Sequence, residues 1–315
     1  MIKGKVVYVT GPTASGKTEL GVRIAEKYNG EIVSADSMQI YKGIHIASAA
    51  PEEEEKRGIP HHLIEFLPLS QQFSVAEYVA AARQCIDEIL SRKKLPVVVG
   101  GTGLYISALT DNIEFADEQT DMKLRRELDD EFEKVGGEGM LSRLAAFDSE
   151  TAARLHPGNR RRIIRAFEVY RLTGKTVTEQ NKLSRQNEPR YDNLILGVTS
   201  RDREWLYNRI NLRVDKMLEN GLAKEAEKTV SLPLNSGGMQ AIGHKELYGY
   251  LKGECTIQEA AERLKQSTRR YAKRQLTWFR RDTRIKWLFA DEEPIFERAQ
   301  NLIDEFLGED EQIEK

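Results

Sequence analysis

An α/β fold, with a parallel sheet flanked by helices and interrupted by an all-helical insertion, is predicted by three features of this 315-residue chain. The first is an apolar strand, Val6-Val7-Tyr8-Val9, that runs into Gly11-Pro12-Thr13-Ala14-Ser15-Gly16-Lys17-Thr18 and then into helical sequence over residues 19–27. The second is the alternation of strand and helix patterns that follows, the arrangement from which parallel sheets are built. The third is a charged, strand-free stretch over residues 115–186, after which Asn193-Leu194-Ile195-Leu196-Gly197-Val198 restores a strand.

Taken in order, the first strand and helix enclose the pattern G-x-x-x-x-G-K-T. Its glycines let backbone N–H groups face an anion at a helix N-terminus, Lys17 supplies a point charge, and the Thr18 hydroxyl suits a magnesium ion shared with phosphates. Gly11, Thr13, Ala14, Ser15, Gly16, Lys17 and Thr18 are therefore the candidate phosphate-binding set, and the core is P-loop NTPase-like. Glu31-Ile32-Val33-Ser34-Ala35 forms a second strand ending at Asp36. Ser74 and Glu77 have capping-box spacing before a helix marked by Val75, Tyr78, Val79, Ala82, Ile86, Ile89 and Leu90. Leu95-Pro96-Val97-Val98-Val99 is a buried strand leading into Gly100-Gly101-Thr102-Gly103. Beyond the insertion come helices near residues 205–219 and 256–281. The expected organisation is a catalytic core over 1–114, a helical insertion over 115–186, the rest of the core over 187–290, and an acidic tail over 291–315.

Composition is that of a globular protein, with 40% hydrophobic and 31% charged residues and a net charge of -2. No apolar run approaches the roughly 18 residues a membrane helix needs, and the first strand starts too early for a signal peptide. Cys85 and Cys255 are unpatterned, which argues against a disulfide framework or a cysteine zinc site. A cytoplasmic monomer with no membrane partner is the expectation. The small net charge conceals patches. Residues 263–286 hold ten Lys or Arg against one acid, residues 154–175 hold seven against one, and residues 291–315 hold ten acids against two bases. Such basic stretches suit a polyanion, although charge runs are usually solvated helix faces. Tyr271, Trp278, Phe279 and Trp287 add aromatics for base stacking. Leu264, Tyr271, Leu276 and Phe279 read equally well as a core stripe.

Two strand ends bear on chemistry. Asp36 would stand beside bound phosphate, as a general base or a magnesium ligand, or would simply close an Asx-turn. The third strand ends in Gly-Gly-Thr-Gly instead of the acid that NTP hydrolases carry there, which suits a phosphate leaving group better than attack on a γ-phosphate. Thr102 either presents its hydroxyl to a ligand or is a plain turn residue. His61-His62 lacks further metal ligands and reads as structural, and Trp205 and Tyr207 read as packing.

Further blocks occur in a fixed order: Ser34-Ala35-Asp36-Ser37-Met38-Gln39-Ile40-Tyr41, Gly58-Ile59-Pro60-His61-His62-Leu63 and Val99-Gly100-Gly101-Thr102-Gly103-Leu104-Tyr105. They continue with Arg213-Val214-Asp215-x-Met217, Gly221-Leu222, Gln240-Ala241-Ile242-Gly243-His244-Lys245-Glu246, and Arg270-Tyr271-Ala272-Lys273-Arg274-Gln275-Leu276-Thr277-Trp278-Phe279. With the phosphate loop, these make the chain resemble the tRNA dimethylallyltransferases over residues 5–281. Such enzymes transfer a dimethylallyl group from its diphosphate to N6 of adenosine 37, beside the anticodon, in tRNAs reading codons that begin with U. The resemblance implies that Lys17, Thr18 and the loop amides hold the diphosphate with Mg2+, Thr18 being the metal ligand. It implies that Arg213 adds charge at the leaving group, that Asp36 takes the proton from the amine, and that Thr102 orients the substrates. Asp36, Ser37, Met38, Gln39 and Thr102 would receive the adenine. Arg125, Arg161, Arg162, Arg165, Lys273 and Arg274 would touch the tRNA anticodon stem-loop.

One stretch departs from the family pattern. Where many relatives carry Gly-Thr-Ala-Lys before proline, this chain has Ala47-Ser48-Ala49-Ala50-Pro51, keeping a hydroxyl but losing a charge. The rival readings are a small-molecule kinase, an RNA-binding protein with a vestigial loop, and a transferase acting on free nucleotides. The missing acid, the intact Lys17-Thr18 and the basic helical regions weigh against them in turn.

Overall fold

The structure is a computed structural model that describes residues 3–113, 121–184, 187–230, 232, 237, 241–292 and 294–308. The chain forms two units, Met1–Thr110 with Arg190–Lys315, and Asp111–Pro189. The insertion boundaries expected at 115 and 186, Gln240 of the sixth block and the last seven residues of the acidic tail lie outside the described residues.

The first unit is built on strands β1 (Lys5–Thr10), β2 (Gly30–Ser34), β3 (His61–His62), β4 (Leu95–Gly100), β5 (Asp192–Thr199) and β6 (Lys286–Phe289). They form one sheet in the order β3-β2-β4-β1-β5-β6 with every neighbouring pair parallel. Val6, Val7, Tyr8, Val9, Val97 and Val98 are fully buried, because helices on both faces leave the central strands no solvated side. The helices are α1 (Lys17–Lys27), α2 (His45–Ser48), α3 (Glu53–Lys56), α4 (Val75–Ser91) and α5 (Gly103–Thr110). The chain then passes through α6 (Met122–Ala145), α7 (Ser149–Arg154), α8 (Arg160–Thr173) and α9 (Val177–Ser184) of the second unit. It returns with α10 (Arg203–Glu219), α11 (Leu222–Val230), α12 (His244–Leu251), α13 (Ile257–Phe279) and α14 (Ile295–Gly308).

Helices α1 and α14 cover one sheet face, where Leu20, Ile24, Ala299 and Ile303 pack on Val7, Val9, Val97 and Leu196. On the other, Tyr78 of α4 stacks on Tyr105 of α5 with ring centroids 3.7 Å apart, and its hydroxyl donates to Ser34 O at 3.0 Å. The capping box forms as expected: Ser74 Oγ accepts from the Glu77 amide and the Glu77 carboxylate accepts from the Ser74 amide.

Two short edge strands, β3 and β6, escape the sequence reading because two and four residues carry too little periodicity. The stretch read only as an acidic tail contains α14. Its acids occupy the solvent side while Ala299 and Ile303 complete the core, so charge count masked an amphipathic helix. The second unit has its own core of Leu128, Met140, Leu144, Ile163, Ile164 and Phe167. Asp148 caps α7 through the Thr151 amide and accepts the Thr178 hydroxyl at 2.6 Å, tying α7 to α9. Among the described residues no helix is long and apolar enough to cross a membrane.

Candidate functional site

The carboxyl ends of β1, β2 and β4 converge on one cleft of about 230 Å³. Here β1 turns into the phosphate loop. Gly16 takes φ +97° as the N-cap of α1, a conformation that disfavours any side chain, and so aims the first amides of α1 outward. The ends of β2 and β4 are laced together: Ala35 N–H donates to Val99 O at 2.8 Å and Thr102 N–H to Ala35 O at 3.1 Å. That lacing puts Asp36 beside Thr102, whose hydroxyl accepts from the Ser37 amide at 3.0 Å. Asp36 Oδ1 accepts from the Met38 amide at 2.8 Å, so the Asx-turn reading and the place at the cleft hold together. Ser34 Oγ donates to Gln39 Oε1 at 2.8 Å, and Gln39 Nε2 donates to Ala49 O at 3.1 Å.

Thr13, Lys17, Thr18, Asp36, Ser37, Met38, Gln39 and Arg213 all line this cleft. Its two cations, Lys17 and Arg213, are only partly offset by Asp36. Desolvation and the neighbouring Arg213 charge bring the Lys17 pKa down to about 8, with Asp36 opposing. Desolvation also lowers Arg213, Asp36 and Glu55 acting against it and Arg209 with it. Within the loop, Ser15 Oγ is buried with no hydrogen-bond partner. Two cations held together against one carboxylate, with an orphaned hydroxyl beside them, give the cleft an excess of positive charge that suits an anionic ligand. A cation shared with that anion fits as well. Among the described residues no cluster of three His, Cys, Asp or Glu exists to cage a metal, but the Thr18 hydroxyl beside phosphate oxygens is the arrangement a largely hydrated Mg2+ uses.

Several contributors were not singled out from sequence. Gln275 of α13 accepts from the Thr13 amide at 2.9 Å and donates to Gly101 O at 2.9 Å, bridging the phosphate loop and the end of β4. Gly101 must lack a side chain there, since a Cβ would lie 2.2 Å from Gln275 Nε2. Tyr271, read from the sequence as a stacking or core aromatic, lies one turn earlier and also lines the cleft; burial and the Asp36 charge push its hydroxyl pKa well up. A neutral Gln on the apolar face of an otherwise basic helix is the signal that was available. Arg209 Nε donates to Ala14 O at 2.8 Å. Val214, Met217, Ile242 and Leu264 add an apolar wall.

From the departing stretch, Ala47, Ser48 and Ala49 form part of that wall. It is anchored from behind, where Glu225 accepts the Ile46 and Ala47 amides at 2.8 and 2.9 Å and His244 Nε2 at 3.0 Å. The Gly243-His244-Lys245-Glu246 block thus has a structural reason. His61 sits at the cleft with Nδ1 donating to Ile59 O, whereas His62 turns to Glu31. Trp205 and Tyr207 pack against Leu206, Ile210 and Ala272.

The remaining predicted residues lie outside the cleft. Lys273 and Arg274 are exposed on α13. In the second unit Arg161 and Arg162 are exposed on α8, while Arg125 and Arg165 each reach the buried Glu168 at 3.6 Å.

Comparison with known proteins follows the same lines. A family model described as IPP transferase matches residues 39–282. A tRNA dimethylallyltransferase of Acetivibrio thermocellus is 49% identical over 91% of this chain and 92% of its own. One from Thermoanaerobacter pseudethanolicus is 43% identical over 96% and 98%. Among solved structures, the full-length tRNA isopentenylpyrophosphate transferase of Bacillus halodurans superposes with a TM-score of 0.73 at 40% identity, over 99% of both chains. A eukaryotic dimethylallyltransferase captured acting on tRNA gives 0.75 at 30% identity, over 91% of this chain and 74% of that one.

Proposed function

The chain belongs to the IPP transferase family, and we propose that it is a tRNA dimethylallyltransferase acting on N6 of adenosine 37 in tRNAs that read codons beginning with U. The observation that carries this reading is the Lys17–Arg213 pair, only partly offset by Asp36, in a cleft with an apolar wall. A diphosphate supplies the missing negative charge, and its five-carbon tail takes the side of Val214, Met217, Ile242 and Leu264.

The adenine amine attacks the allylic carbon, the carbon–oxygen bond to diphosphate breaks, and the surplus proton on nitrogen passes to Asp36. Lys17, the loop amides and Arg213 take up the charge growing on the leaving oxygens. The Met38 amide and the Thr102–Ser37 bond hold the turn that carries Asp36, while Gln39, fixed by Ser34 and Ala49, walls the base. Bound Mg2+, held by Thr18 and by diphosphate oxygens, would further neutralise the leaving group. β4 ends at Gly100 and runs into Gly101-Thr102, so this strand lacks the acid that NTP hydrolases carry there, which favours a diphosphate leaving group over attack on a γ-phosphate. Lys273, Arg274 and the second unit's Arg125, Arg161, Arg162 and Arg165 supply cations for the anticodon stem-loop. The setting is the cytoplasm, where unmodified tRNA is met.

The test is mass spectrometry of unmodified tRNA after incubation with the protein, dimethylallyl diphosphate and Mg2+. One isopentenyl unit on a single anticodon-loop adenosine is expected. Modification of free AMP with tRNA untouched, or robust ATP turnover, would overturn the reading.

A further inference from the structure

Of the three tryptophans, Trp278 alone is exposed, at 38%, whereas Trp205 and Trp287 are partly buried. An exposed indole is ordinarily free to turn; this one is not. Its Nε1 donates to Ser107 Oγ of α5 at 3.1 Å. Its ring lies so close to the Gly103 backbone that a Cβ there would fall 2.3 Å from Cδ1 and 2.6 Å from Cγ. Gly103 directly follows Thr102, whose hydroxyl meets the Ser37 amide next to Asp36. A fixed aromatic surface therefore packs on the residue next to Thr102.

Its surroundings say what would cover it. Arg270, Arg274 and Trp278 follow at i, i+4 and i+8 on the exposed side of α13, opposite the buried Ala272, Gln275 and Phe279, and Arg281 comes just after. Leu104, 43% exposed, opens α5 beside Gly103. A protein partner would want a broader apolar patch, and a duplex presents no base face. An unpaired nucleotide offers both a π-surface for the indole and a phosphate for the arginines.

We infer that Trp278 is a stacking platform for an unpaired base flanking the adenine that enters the cleft, with Ser107 and Gly103 fixing the ring and Arg270, Arg274 and Arg281 taking the adjoining phosphates. The inference rests on the transferase reading for the identity of that adenine. The indole grips the loop after one base has left its stack, replacing lost base–base stacking with base–protein stacking.

The test uses Trp278→Leu, which keeps apolar bulk without a ring, and Trp278→Phe, which keeps a ring. For Trp278→Leu the KM for tRNA should rise roughly 5- to 100-fold, with the KM for dimethylallyl diphosphate unchanged, and Trp278→Phe should recover most of the loss. Intrinsic fluorescence should be quenched by an unmodified anticodon stem-loop, not by a blunt RNA duplex of equal charge, and the quenching should vanish in Trp278→Phe. An unchanged tRNA KM in Trp278→Leu overturns the platform. So does a parallel rise for both substrates, which would mark the indole as packing only. Failure of the transferase reading looks different: the wild type would transfer no isoprenoid, and the quenching experiment would still decide whether Trp278 stacks on unpaired RNA.

Discussion

Lys17 and Glu31 are both drawn away from water in the same α/β unit, one at the carboxyl end of the sheet and the other near the start of β2, and their neighbours are opposite in kind. Around Glu31, His62 Nε2 stands at 2.7 Å, Arg92 at 2.8 Å and Lys94 at 2.9 Å. Burial alone would raise its pKa, but those three bonds hold it at about 2. Around Lys17 the fold sets Arg213, a like charge, and a single carboxylate, Asp36, that offsets it only in part, so desolvation carries the ammonium down to about 8. A withdrawn charge costs several kcal/mol unless paired. Where the chain completes the pairing itself, the cluster is scaffold. Where it leaves the pairing incomplete, the cluster is the better candidate for a ligand site.

Asp36 gives the largest test of that contrast, because a carboxylate in an anion site opposes binding and must be retained for the chemical step. Asp36→Asn should lower kcat by roughly 10²–10⁴-fold while pyrophosphate affinity, followed by calorimetry, stays level or improves. A fall of less than tenfold in kcat would remove Asp36 as the base.

Next comes Lys17→Met, which should weaken pyrophosphate binding by about 2–5 kcal/mol. In the wild type, binding near pH 8 should draw a proton onto Lys17, and affinity should fall as pH rises through that value; both effects should be missing from the variant. In the free protein the sign reverses. The folded pKa lies below the model-compound 10.5, so Lys17 contributes a destabilisation that is present below pH 8 and relieved as pH rises from 8 toward 10.5. Denaturation curves that show no such difference between wild type and Lys17→Met would break the contrast at this end.

Glu31→Gln addresses the other end and should spare pyrophosphate binding while costing about 2–3 kcal/mol of stability at pH 7. The folded pKa is depressed, so this stabilisation is present above the unfolded value of 4.5 and is lost as pH falls toward 2. Urea unfolding should show the wild type losing stability across that window more steeply than the variant. Arg92→Ala should have the smallest effect, below about 1 kcal/mol, since Arg92 is half exposed and His62 and Lys94 remain on the carboxylate. A larger loss would mean that the Glu31 cluster acts as one unit instead of as separable pairs.

The parts legible in the sequence were those whose cause is local. The phosphate loop, the capping box at Ser74, the central strands and the helix after each could be read because neighbouring residues decide them. The edge strands β3 and β6 could not, since their pairing partners, not their own two or four residues, make them strands. The tail helix α14 was hidden behind its acids until the sheet face that needs Ala299 and Ile303 was in view. At the site, Asp36 and Lys17 were visible as ends of strong local patterns, whereas Gln275 and Tyr271 looked like members of a basic helix.

By itself, then, the sequence determined that a phosphate-loop pattern would form the first strand–helix turn and that Asp36 and Thr102 would each follow a strand, because backbone conformation and side-chain periodicity act over a few residues. That the two strands are neighbours came from the structure. Only the tertiary structure decided what closes the cleft. The bond from the Thr13 amide to Gln275 spans 262 positions, and that from Arg209 to Ala14 spans 195. That Lys17 would meet the second cation Arg213 as well as Asp36 likewise depended on which face α10 presents. Electrostatic pairing is set by distance in space, and the packing of the sheet and its helices fixes that distance.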